Sequence, residues 1–86
     1  MESTTNRPVE VFRASGISAS VFKNRAKTEG RTTPFYKVSL QRTYKDGEKW
    51  QTTGSLSRDD LPTAALLLQQ AWEYIVQAEA DAKDGS

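Results

Sequence analysis

Apolar and polar residues alternate through the first half of the chain, and a helical spacing replaces that alternation in the second half. Ile17, Ala19 and Val21 alternate with Ser18, Ser20 and Phe22, which predicts a strand over 17–22. Before it, 9–14 follows Pro8 as a first strand and Ser15-Gly16 is a turn signal. The stretch Lys23 to Pro34 is rich in Lys, Arg, Thr and Gly and reads as a long polar loop. A third strand is predicted over 35–44. Tyr36, Val38, Leu40 and Tyr44 fall on one face of it, and Lys37, Ser39, Gln41 and Thr43 on the other. Lys45-Asp46-Gly47 is a turn signal, and 48–53 reads as a fourth strand.

From Ser57 onward the period is helical. Pro62 is tolerated only in a first turn, where its missing N–H would have had no partner. The helix is therefore expected to start with Asp60 or Leu61 as N-cap and to run to about residue 80. Leu61, Ala64, Ala65, Leu68, Ala71, Trp72 and Ile75 form one apolar stripe, with Gln69, Gln70, Glu73 and Gln77 mostly opposite. The expected fold is α+β: a four-stranded antiparallel meander followed by one long C-terminal helix packed on one sheet face. The domain is expected over 8–80, between disordered tails at 1–7 and 81–86.

The third turn can be argued from burial. A three-residue loop pairs Tyr44 with Glu48 and Arg42 with Trp50, which places Trp50 on the Val38/Leu40 face. A two-residue Asp46-Gly47 loop turns the indole to the polar face. A slip of one residue flips every side chain, so an apolar Trp favours the three-residue loop, with Gly47 left-handed in a bulge. The expected core is then Tyr36, Val38, Leu40 and Trp50 against Leu61, Ala65, Leu68, Trp72 and Ile75.

Composition narrows the chemistry. The 86 residues include no Cys and no His, which removes disulfides, thiolate metal sites and the usual general base. No run is long enough to span a membrane, and the polar start lacks the apolar segment of a signal peptide, so a cytoplasmic protein is expected. Charge is unevenly spread. Residues 1–57 carry ten Lys/Arg against five Asp/Glu, and residues 58–86 carry two against six. A basic sheet region of this kind suits an anionic partner.

Two groups of candidate residues follow. Phe35, Lys37, Gln41, Lys49 and Gln51 are assigned to one polar sheet face, where cations and amides meet phosphates and Phe35 stacks a base. Phe22, Ser18 and Ser20 extend that patch. Lys23, Arg25, Lys27 and Arg31 belong to the cationic loop, which can follow a nucleic-acid backbone. The plain alternative for both is a solvated face and loop. Leu66, Leu67 and Tyr74 exceed what one sheet needs to cover and are assigned to a homodimer contact. Asp59-Asp60 reads as helix-start chemistry in preference to a metal site. No catalytic group, cofactor or metal is expected, and Ser15 and Ser55 lack the partners a nucleophile requires.

The run Phe35 to Trp50, with its Tyr44-Lys45-Asp46-Gly47 turn, and the helix start Arg58-Asp59-Asp60-Leu61-Pro62 resemble a group of small bacterial proteins over about residues 17–75. In element order the chain is similar to the Whirly-like fold of single-stranded-DNA-binding transcriptional coactivators. That resemblance implies a dimer formed through the helices and single strands held on the sheet. The functional expectation is a non-enzymatic homodimer binding single-stranded nucleic acid, DNA above all. A protein–protein interaction module and a duplex-DNA-binding sheet, as in integrase arm-binding domains, are the alternatives.

Overall fold

A computed structural model describes residues 7–84 of the chain. It contains β1 (Glu10–Ala14), β2 (Ile17–Thr28), β3 (Arg31–Asp46), β4 (Lys49–Thr53), a short 3-10 turn at Arg58–Asp60 and α1 (Leu61–Asp84). The strands form one antiparallel sheet in the order β1-β2-β3-β4, and the helix packs on one of its faces. The expected α+β architecture is the observed one. The N-terminal tail expected at 1–7 lies, apart from Arg7, outside the described residues, as do positions 85–86. The helix continues past the expected end to Asp84.

The polar stretch 23–34 is not a loop. β2 and β3 pair without interruption from Ile17↔Arg42 to Thr28↔Arg31, and only Glu29-Gly30 connects them. Both connecting residues have positive φ, 53° and 78°, as a two-residue type I′ hairpin turn requires. Ser15-Gly16 repeats the device between β1 and β2, with φ of 51° and 79°. Gly16 is needed twice over: a Cβ there would stand 3.3 Å from the Thr43 carbonyl oxygen as well as carrying the positive φ. The polar composition of 23–34 hid its strand character because this part of the hairpin has no core to face. β1 pairs with β2 only as far as Val21, so residues 22–37 project beyond it as a two-stranded arm. The sixteen-residue β3 sets the long axis of a molecule measuring 50 × 29 × 18 Å.

The helix goes where the sheet is apolar. On the helix-facing side β1 offers Phe12 and Ala14, and β2 offers Ile17, Ala19 and Val21; β4 offers only Lys49, Gln51 and Thr53. The helix therefore crosses β1 and β2 and reaches β3 only marginally. Ile17, Ala19, Val21, Ala64, Leu67 and Ala71 are buried, and Phe12, Ala14 and Leu40 pack around them. Ala64 and Ala71 flank Leu67 on the same helix face, and their small side chains let the helix approach the strands. Tyr74 meets Phe12 edge to face, with ring centroids 6.3 Å apart.

This differs from the expected core. The helix is rotated so that Leu67 points inward, while Leu61, Leu68 and Trp72 are exposed. Val38 is exposed, and Tyr36 and Leu40 are half-buried. The apolar arc of α1 is wider than a single stripe, so sequence periodicity alone left its phase open. The sheet's own apolar strands decided it.

The helix start is held by Asp60. Its carboxylate accepts from the Ser57 N–H at 2.9 Å and from the Ser57 hydroxyl at 2.8 Å, one half of a capping box. Arg42 Nε on β3 lies 3.1 Å from the same carboxylate, an ion pair whose N–H is not aligned for a hydrogen bond. The Ser57 backbone N–H, then the Ser57 hydroxyl, hold the Asp60 carboxyl below its ordinary range; Arg42 adds to this, and desolvation partly opposes it. A depressed folded-state pKa gives stability that is present above about pH 4 and lost as the pH falls through the folded value. Asp60→Asn is thus expected to melt below wild type at neutral pH. The two melting curves should converge in acid, and a gap that stays constant down to about pH 2 would contradict this role.

Candidate nucleic-acid interface

Strand pairing assigns every candidate to one of two faces, because directly paired residues share a face. On the outer face, away from the helix, β1 places Val11 and Arg13 and β2 places Ser18, Ser20, Phe22, Asn24 and Ala26. β3 adds Arg31, Thr33, Phe35, Lys37, Ser39, Gln41, Thr43 and Lys45, and β4 adds Trp50 and Thr52. This face therefore carries the cations Arg13, Arg31, Lys37 and Lys45. Among the described residues it carries no acid.

Trp50 is the largest departure from the expected site. Asp46 pairs with Lys49 and Lys45 with Trp50, leaving Gly47-Glu48 as the two-residue connection. Gly47, with φ of 68°, takes the first central position, where a II′ turn favours glycine. The bulged three-residue loop does not form, and the indole turns to the outer face with 68% of its surface exposed. Burial could not set this register. β4 pairs only with the overhanging end of β3, beyond the helix, so neither face had a core to offer. Lys45 Nζ stands 5.8 Å from the centre of the Trp50 ring, a cation–π pair across the two strands.

Of the expected binding residues, Arg31, Phe35, Lys37 and Gln41 share the outer face. Lys49 and Gln51 do not: their pairing with Asp46 and Tyr44 puts them on the helix-facing side. Lys23, Arg25 and Lys27 also lie on that side, opposite Tyr36, Pro34 and Thr32, exposed along the arm. The sheet-face group and the loop group are thus each divided between the two sides of the sheet. Arg13, Lys45 and Trp50 take the vacated places. Arg13 could have been found by counting across the two-residue Ser15-Gly16 turn, which sets it opposite Ser18.

Two open depressions mark the outer face. One, of about 290 Å³, lies among Phe22, Asn24, Lys37 and Ser39, and the other, of about 320 Å³, opens beside the first turn on Arg13, Ser18 and Thr43. Phe35 lies at the arm and Trp50 at the opposite end of the face, roughly 33 Å apart at about 3.3 Å per strand residue, and Thr33 and Arg31 continue the face beyond Phe35. Cations and hydroxyl or amide groups fill the interval. Such a surface can hold phosphates along its length and stack bases on the two rings.

Two of the three residues assigned to a dimer contact are placed differently from expectation. Leu67 is 1% exposed and Tyr74 half-buried, both used within the chain's own core, and Leu66 lies on the polar side of the helix. Besides the exposed Leu66, the large apolar side chains left uncovered on α1 are Leu61, Leu68, Trp72 and Val76, along one flank. No helix is long and apolar enough to cross a membrane among the described residues. Compared with known proteins, the chain matches no family model, no curated protein and no solved structure.

Proposed function

We propose that this chain is a non-enzymatic single-stranded nucleic-acid-binding protein whose ligand lies along the outer face of the sheet. One observation carries the reading: Arg13, Arg31, Lys37 and Lys45 share a face with the exposed rings of Phe35 and Trp50 and with no acid among the described residues. Exposed aromatics favour unpaired bases over a duplex, because stacking needs a free base plane. A titration with single-stranded and duplex oligonucleotides at two salt concentrations tests it. Single strands should bind more tightly, with log K falling by about 0.7 per neutralised phosphate for each decade of salt. Preference for duplex, or no binding at low salt, would refute the reading.

The same reading makes the protein a homodimer, now through the Leu61, Leu68, Trp72 and Val76 flank. That flank exposes a contiguous apolar surface of the kind symmetric contacts cover. Sedimentation at tens of micromolar should report about twice the 9.6 kDa chain mass. Trp72→Asp should return it to a single chain while leaving the melting of the monomer intact. A monomeric wild type at that concentration would exclude the dimer.

A further inference from the structure

The arm carries more cations than the outer face uses. Residues 22–37 contain Lys23, Arg25, Lys27, Arg31 and Lys37, and the one acid among them, Glu29, sits in the turn at the tip. Arg31 and Lys37 point with the outer face. Lys23, Arg25 and Lys27 form a row on the opposite side, every second residue of β2, all exposed. No helix covers this part of the sheet, and none of the three has an ion-pair partner among the described residues. Glu10, paired with Val21, stands diagonal to Lys23 at the base of the row, and no acid stands beside Arg25 or Lys27 on that side. A row of like charges with no core beneath it costs repulsion, which an anionic ligand relieves.

We infer that the helix-facing side of the arm is a second phosphate track, and that a single strand bound on the outer face continues around the arm onto Lys23, Arg25 and Lys27. This rests on the function proposed above and extends it to a site that clasps the strand from two sides. The geometry is favourable in three respects. Successive cations in the row are about 6.6 Å apart, twice the rise per strand residue. That is comparable with the separation of neighbouring phosphates in an extended, unstacked strand. The arm is also only two strands wide, about 4.8 Å between backbones, with both edges open: β1 stops opposite Val21, and β4 pairs only with residues 42–46. A strand can therefore pass over either edge. Finally, Tyr36 stands directly opposite Lys23 and offers this side a ring of its own.

The test uses a single-stranded oligothymidylate long enough to exceed the usual site sizes, about 20 nucleotides. Wild type, Lys23→Gln/Arg25→Gln/Lys27→Gln, the charge-preserving Lys23→Arg/Arg25→Lys/Lys27→Arg, and Lys49→Gln/Arg58→Gln are titrated across salt. The neutralised arm variant should keep the wild-type melting temperature, and its slope of log K against log salt should be shallower by about 2. With the lines converging near 1 M, binding at about 0.1 M should be roughly 100-fold weaker. The charge-preserving variant should bind like wild type. Lys49 and Arg58 are exposed cations off both tracks, so their removal should change the slope little. An unchanged slope in the arm variant overturns the second track. So does an equal change per charge in the Lys49/Arg58 variant, which would make the effect one of net charge alone. Failure of the underlying function looks different: wild type itself would not bind, or would bind unaffected by replacement of Arg13, Lys37 and Lys45.

Discussion

Leu67→Ala should cost about 2–5 kcal/mol, the usual range for truncating a buried leucine. Leu67 is 1% exposed, stands between Ala64 and Ala71, and packs with Ile17 and Ala19. Alanine neighbours cannot expand to fill the void, so the cavity would remain largely open. A single small core commonly supplies only about 3–5 kcal/mol of net stability, so this variant should be mostly unfolded at room temperature. Trp50→Ala and Trp72→Ala remove far larger side chains. Both are mostly exposed in the single chain, at 68% and 60%, and surface changes usually stay within about 0.5 kcal/mol, so at concentrations low enough to keep the protein monomeric both variants should unfold like wild type. Urea unfolding of the three variants decides between this core and one built on Trp50. If Trp50→Ala is the variant that unfolds, the two-residue Gly47-Glu48 turn is wrong.

The second large effect concerns binding. Replacing Arg13, Lys37 and Lys45 together by Gln should flatten the salt dependence of single-strand binding by about 2, at about 0.7 for each phosphate left without its cation. Weakening should be alike for all base sequences, since cations position the backbone and carry no base readout. Trp50→Ala should instead cost about 1–3 kcal/mol of affinity with little change in slope, as expected of a ring that stacks a base. The two effects are therefore separable in one set of salt titrations. Equal slopes for wild type and the triple variant would place the backbone elsewhere.

Element type and order were legible in the sequence because alternation and helical spacing were strong where a core existed. Ile17, Ala19 and Val21 show this: they alternate cleanly, and they are the strand residues the helix buries. Pro62 likewise marked the first turn of α1 correctly. Legibility failed where no core imposed a pattern. In the arm, β2 has only the cations Lys23, Arg25 and Lys27 on its helix-facing side, so its strand character was carried by Glu29-Gly30, a turn signal easily overlooked in a polar run. The register of Trp50 was inferred from burial, in a part of the sheet that the helix does not cover. That one error moved Lys49 and Gln51 to the wrong face and hid Trp50 from the candidate site. Lys37, Phe35 and Gln41 were placed correctly because alternation within β3 alone fixes them.

If the outer face binds single-stranded nucleic acid as proposed, Trp50 is a reporter placed on that face by the protein itself. In a Trp72→Phe background its indole is the only one in the chain. Titration with a single-stranded oligonucleotide at low salt should quench its fluorescence saturably, and added salt should reverse the quenching. Binding detected by another readout while Trp50 emission stays unchanged would put the ligand off this face, and no binding at all would contradict the function.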